Sequence, residues 1–244
     1  MPIFVNQARD YFIITSFKVT YSTLAAHDSL SEKFLTNYLD CIRFKGQQSQ
    51  KQTVMLVRNP YDRIVSFFED KFIRHPNMPA SKRVKYSDRD GWQACQIVFF
   101  PYLNINSSTP PNTIATKLKN TSFSQFVSCL PRVYLQDEHL IPQINNIKFQ
   151  TSINSSIDSS KYSDRLIHIN LNVDKIIKIE ALDREYMKQQ FGLDFSIIKN
   201  RNPDQKPLAS YFNSSSLLET INSLYEKDFN YFNYPQYSQA LRSR

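Results

Sequence analysis

Strands alternating with amphipathic helices predict an α/β domain built on a mostly parallel central sheet with helices on both faces, a three-layer arrangement. Three stretches carry that prediction. The apolar run Tyr11 to Ile14 passes through a Ser/Lys/Thr loop into helical spacing at Leu24, Leu30, Phe34, Leu35 and Leu39. Thr53 to Val57 reads as a buried strand, followed by Asn59 as a helix cap and Pro60 at the first turn. Ile176 to Ile179 is a third strand, leading into a helix that Gly192 terminates. At 244 residues the chain is long enough to bury one large core, and a single domain over residues 1–244 is expected, with a loop excursion over about 74–121.

The remaining elements follow from local pattern. After Asn59, the residues Tyr61, Ile64, Val65, Phe68 and Phe72 form one helical stripe, and Ser66 lies off it. From Asn104 to Asn120 the composition turns to Ser, Thr, Asn and Pro, which predicts a loop. Ser122 and Gln125 have capping-box spacing and restart a helix. The mixed stretch from Ile144 to Leu166 holds short strands or a hairpin, and "SLLETINSLYEKDFNYF" closes the domain as an amphipathic helix.

Composition narrows the class of partner. Hydrophobic residues make up 41% of the chain, which fits a globular protein, and no apolar run approaches the roughly 18 residues of a membrane span. The start lacks the order of a secretory signal. Cys41, Cys95 and Cys129 are widely separated, which suits reduced thiols better than a disulfide framework or a metal knot, and no metal is expected. Sequons at Asn106, Asn120, Asn154 and Asn213 occur at about chance frequency. A net charge of +8 points to an anionic partner. Lys71, Arg74, Lys82, Arg83 and Lys85 form a basic run; such runs are usually a solvated face, and the alternative is a rim attracting an anionic ligand.

In a parallel sheet, ligands sit beyond the carboxyl ends of the strands, so the strand exits are where chemistry is sought. The first exit is "FKVTYSTL", Phe17 to Leu24. A helix start offers backbone N–H groups to a phosphate, Lys18 adds a full charge, and Ser22 and Thr23 add hydroxyls, although the glycines of a Walker loop are missing. The second is "VRNPYDRIVSFFEDKF", where Arg58 can hold a phosphate through two parallel N–H bonds and Ser66, two turns along the helix, can donate a third. Each feature alone also reads as an ordinary capped helix start or a surface ion pair.

The second stretch resembles the segment of the Golgi-type carbohydrate sulfotransferases written Arg-Asp/Asn-Pro-Tyr-x-Arg-x-x-Ser, with its following aromatics and Lys-Phe. Five further pieces agree in order: "FKVTYSTL", "SFSQFV", "QDEHLIPQ", "IIKIEAL" and "LYEKDFNYFNY", together spanning about Phe12 to Tyr234. Leu140 stands where that family usually has Trp, Asn233 where it has Gly, and Thr20 and Tyr21 where it has smaller loop residues. The resemblance implies a sulfotransferase fold like that of the P-loop enzymes and a donor, 3′-phosphoadenosine 5′-phosphosulfate. It places Lys18, Val19, Thr20, Tyr21, Ser22 and Thr23 at the 5′-phosphosulfate, and Arg58 and Ser66 at the 3′-phosphate. The acceptor it implies is a hydroxyl, on a saccharide or glycoconjugate at family level, with no role for nucleic acid.

Sulfuryl transfer asks the protein to align three atoms in line and to neutralise charge on the leaving phosphate, a task for Lys18. A base must also take the acceptor proton. His139 is the choice, because Asp137 and Glu138 flank it, with His27 and Glu138 in reserve; His75 and His168 read as surface or strand residues. Glu180 and Asp228 read as structural. The rival readings are a P-loop kinase, which would need glycines and a strand-borne Asp, and a polyanion-binding protein supported only by charge. A chain with no anchor and no cystine framework fits a cytoplasmic enzyme; a Golgi lumenal one would require that an N-terminal anchor had been removed.

Overall fold

The computed structural model describes residues 2–6, 10–34, 38–48, 51–76, 93–153, 165–196 and 206–241. Lys82, Arg83, Lys85 and Asn154 lie outside the described residues. In chain order the strands are β1 (Pro2–Asn6), β2 (Tyr11–Ile14), β3 (Ser31–Phe34), β4 (Gln52–Val57), β5 (Lys148–Ile153), β6 (Arg165–Asn170) and β7 (Lys175–Lys178). The helices are α1 (Tyr21–Leu24), α2 (Tyr38–Gln48), α3 (Pro60–Phe68), α4 (Ala94–Ile97), α5 (Pro111–Asn120), α6 (Phe123–Val133), α7 (Arg184–Phe191), α8 (Ser215–Leu224) and α9 (Glu226–Tyr231). They divide into two compact units, Met1–Val57 with Gln143–Arg201 and Arg58–Pro142 with Asn202–Arg244.

The first unit holds the sheet, in the order β3-β1-β2-β4-β7. Its core is parallel: β2 pairs with β4 (Ile14 opposite Met55) and β4 with β7. The other side is antiparallel, with β1 between β2 and β3. Alternation along the strands sorts the two faces. Phe4, Tyr11, Ile13, Val54 and Leu56 pack on Met187 and Phe191 of α7, whereas Phe12 meets Phe44 of α2 edge-on at 4.7 Å. The Tyr11 hydroxyl donates to the Phe191 carbonyl, pinning the end of α7, and Gly192 follows in the left-handed conformation (φ 65°) expected of it. β5 and β6 form a separate antiparallel pair, the hairpin anticipated in that stretch.

One expectation in this unit is corrected. The helical spacing from Leu24 to Leu39 does not produce one helix: α1 is a single turn, and Ser31–Phe34 is a strand. β1 supplies the reason, since its fully buried residues offer a free ladder edge to which Ser31–Phe34 pairs, and that tertiary pairing overrides local propensity. The order β3-β1-β2 therefore gives the sheet a mixed character on one side of its parallel core.

The second unit is built around α3. Asn59 accepts a hydrogen bond from the Tyr61 N–H at 3.0 Å and Pro60 occupies the first turn, as the sequence predicts. The helix buries far more than one stripe: Tyr61, Arg63, Ile64, Val65, Phe67 and Phe68 are all shielded. A π-helical segment, Glu69–Arg74, continues it and brings Phe72 round to face Phe68, Phe99 and Phe126. Phe126 of α6 touches the rings of Phe67, Phe68, Phe72, Phe99 and Phe123, each centroid within 6 Å. Truncating it to Ala removes the hub of this cluster, at a cost of about 3–5 kcal/mol. Ser122 and Gln125 cap α6 reciprocally, as their spacing predicts. The Ser/Thr/Asn/Pro stretch that predicted a loop instead carries α5, started by Pro110 and Pro111 and held by the buried Ile114 and Leu118. The closing helix is interrupted at the buried Tyr225, which separates α8 from α9.

Candidate active site

Two strand exits carry the residues singled out by sequence. β2 and β4 are parallel neighbours, so their carboxyl ends lie at the same edge of the sheet. The exit from β2 belongs to the first unit, whereas Arg58, which follows the last residue of β4, opens the second together with Ser66 and His139.

The β2 exit is a strained turn. Lys18 (φ 67°) and Thr20 (φ 53°) both adopt the left-handed conformation, which costs a non-glycine residue roughly 1–2 kcal/mol and is a clear outlier for a β-branched one. The turn is held from within: the Thr15 hydroxyl donates to the Val19 carbonyl at 2.6 Å, and the Val19 N–H donates to the Ser16 carbonyl at 3.2 Å. Val19 is fully buried in the sheet core, so it can meet a ligand only through its backbone, and the half-buried Tyr21 ring lies tilted against Phe17 and Phe4. Thr23 is buried and Ser22 half-buried, and the carbonyl of Thr20 accepts from the N–H groups of Thr23 and Leu24. The hydroxyls of Ser16 and Thr20 are shut off from solvent with no hydrogen-bond partner among the described residues. A buried hydroxyl without a partner costs about 1–3 kcal/mol, so two of them beside Lys18 fit a turn completed by an anionic, acceptor-rich group. The sequence reading missed Ser16. The only signal for it was its place two residues before Lys18.

The β4 exit is rigid instead of strained. Arg58 and Ser66 are both half-buried, one before and one within α3. Between them lies Arg63, which the apolar stripe would leave on the polar face but which is fully buried. Its guanidinium donates to the carbonyls of His139 and Ile141 at 2.9 and 2.8 Å. Burial pulls its pKa down, while Tyr225, Asp228 and Asp137 act to keep it charged. Asp228 is itself fully buried, which supports its structural reading. The motif-like Arg of "VRNPYDR" and the Asp of "EKDFNYF" were the available signals for these two buried charges.

Arg63 thereby fixes the segment that bears His139. Asp137 accepts from the backbone N–H of His139 at 2.8 Å, and its carboxylate lies 2.7 Å from Nδ1 of the same imidazole. This bond holds Nδ1 as the donor and leaves Nε2 as the basic nitrogen. Burial acts to raise the Asp137 pKa, but hydrogen bonds and charge from His139, with the Lys71 ammonium, outweigh it and hold the carboxyl below its ordinary value. The ring of Phe67 packs against the imidazole at 6.0 Å. Leu140, at the position of the family's usual Trp, is fully buried, and its carbonyl accepts from the Tyr225 hydroxyl at 2.6 Å. Asn233 explains the family's usual Gly: it sits at φ 52°, where Asn is among the better-tolerated substitutes.

Of the reserve bases, His27 has both ring nitrogens engaged, with the Ser29 hydroxyl at 3.0 Å and the Asp194 N–H at 3.4 Å. Glu138 is exposed. His75 pairs with Asp70, which also holds Lys71 at 3.0 Å and Arg74 at 3.9 Å, so this end of the basic run is partly offset locally.

The first unit thus carries a left-handed turn with Lys18 and two buried hydroxyls that have no partner among the described residues, and the second unit carries Arg58, Ser66 and a carboxylate-held imidazole. The family model described as "Sulfotransferase family" matches residues 8–235, nearly the whole chain, and the protein belongs to that family. No curated protein and no solved structure matches it. No helix among the described residues is long and apolar enough to cross a membrane.

Proposed function

We propose that the protein transfers a sulfuryl group from 3′-phosphoadenosine 5′-phosphosulfate to an acceptor hydroxyl, with a saccharide as the acceptor class. The observation that carries the donor assignment is the pair of buried hydroxyls on Ser16 and Thr20, without partners among the described residues, in a left-handed turn that also bears Lys18. In this reading the turn from Ser16 to Thr23 takes the 5′-phosphosulfate, and Arg58 and Ser66 take the 3′-phosphate that distinguishes this donor from ATP.

The acceptor oxygen forms a bond to sulfur as the bond from sulfur to the 5′-phosphate oxygen breaks. Charge moves onto that departing phosphate, where Lys18 neutralises it. The acceptor proton passes to Nε2 of His139, and Asp137 stabilises the resulting imidazolium. The products are the sulfated acceptor and 3′-phosphoadenosine 5′-phosphate. The test is transfer of radiolabelled sulfate from the donor to a panel of glycans. Labelled glycan that disappears in Lys18→Ala supports the reading. Donor turnover that is undetectable with every glycan and cell extract tried, in folded protein, would overturn it.

A further inference from the structure

We propose that Cys95, Asp137 and His139 form a binding site for a divalent transition metal of the zinc class. One ligand atom from each, Sγ, a carboxylate oxygen and an imidazole nitrogen, lies within 4.8 Å of the other two. Zinc bonds of about 2.0–2.3 Å at tetrahedral angles space such ligands by about 3.5 Å, so the ligand atoms have to draw together by about 1 Å to hold the ion. The donor set selects the ion. Thiolate with imidazole favours zinc or cobalt(II), whereas magnesium and calcium demand oxygen ligands. Thiolate and carboxylate together balance a 2+ charge.

The surroundings fix the cluster. Arg63 holds the carbonyls on either side of Leu140, and the backbone N–H of His139 is tied to Asp137. Gln96, next to Cys95, donates to the carbonyls of Lys71 and His75 at 2.8 and 3.0 Å, which anchors the short α4 turn. Cys95 is 2% exposed, while the His139 and Asp137 side chains keep 22% and 11%, so the thiol end is closed and the imidazole end admits an ion. Three protein ligands leave a fourth position for water or an anion. Chain separation hides such a site from spacing rules, which look for ligands close in sequence.

The functional consequence rests on His139 being the base. An imidazole lone pair cannot hold a metal and accept a proton at once, so zinc occupancy suppresses sulfuryl transfer and a chelator restores it.

The test uses the full chain, stripped with chelator and titrated with cobalt(II) and then zinc. One equivalent of cobalt with a thiolate-to-metal charge-transfer band, displaced by zinc, is expected. Cys95→Ser abolishes the band, Cys95→Ser and His139→Gln each weaken zinc binding by at least about tenfold, and Cys129→Ser changes neither. X-ray absorption of zinc-loaded wild type, showing one sulfur ligand, tests the same point without any variant. Absence of stoichiometric binding, a band that survives Cys95→Ser, or a zinc shell without sulfur overturns the site. Each readout is independent of catalysis. If zinc binds as described and transfer is unaffected, the base assignment falls and the metal site stands.

Discussion

The two strand exits solve one problem in opposite ways. After β2, the chain forms a turn in which two non-glycine residues are left-handed, the helix that follows is a single turn, and two hydroxyls are buried without partners among the described residues. After β4, a side chain caps the helix, proline starts it, and seven of the nine residues of α3 are buried. The first exit carries left-handed strain at Lys18 and Thr20; the second presents its side chains from a capped helix. In a chain with three glycines, the first exit is formed by left-handed non-glycine residues and the second by a capped, proline-started helix.

The largest effect that separates them is catalytic. Lys18→Ala is expected to lower kcat by about 10²–10³-fold, the loss typical of removing one group that stabilises transition-state charge, with a smaller effect on binding of the product nucleotide. Arg58→Ala is expected to act on affinity instead, weakening binding of 3′-phosphoadenosine 5′-phosphate by about 30-fold or more in calorimetry. Equal changes in kcat and affinity for both variants would erase the functional distinction between the exits.

Stability sharpens the contrast further. Tyr225→Phe removes a buried hydrogen bond to the Leu140 carbonyl and should cost about 1–3 kcal/mol in denaturant unfolding. Burial raises the phenol pKa of Tyr225 well above its ordinary value, and burial with the Glu69 carboxylate does the same for Tyr211. A raised folded-state pKa means the contribution is intact below the unfolded value of about 10 and is lost as pH rises above it. Alkaline unfolding followed by circular dichroism should therefore set in above that pH, with a shallower pH slope in Tyr225→Phe. Asn59→Ala is expected to cost about 1 kcal/mol through the lost cap. Thr20→Gly should change stability by less than about 1 kcal/mol, because relief of left-handed strain offsets the entropy of glycine. A Thr20→Gly protein destabilised as much as Asn59→Ala would show that the turn carries no strain.

What could be read from the sequence follows the range of the forces involved. Asn59 with Pro60, Ser122 with Gln125, and Gly192 act on their immediate neighbours, and each was legible as a helix boundary. The parallel core of β2, β4 and β7 was legible because short apolar runs alternate with amphipathic helices. Ser31–Phe34 was misread because its conformation is set by β1, from the start of the chain, and not by its own spacing. Arg63 was passed over for a related reason: the carbonyls it serves belong to a segment far along the chain, and no helical periodicity can announce a buried charge. Likewise, His139 was found through its neighbours Asp137 and Glu138, but Cys95 joins it only through the fold.

The central claim is that the two exits read opposite ends of one ligand. Calorimetry in the presence of chelator, comparing 3′-phosphoadenosine 5′-phosphate with adenosine 5′-phosphate, addresses it directly. The wild type should prefer the doubly phosphorylated nucleotide by at least tenfold; Arg58→Ala should abolish that preference, and Lys18→Ala should weaken both ligands while keeping it. Equal affinity of the wild type for the two nucleotides, or a preference that survives Arg58→Ala, would contradict the account.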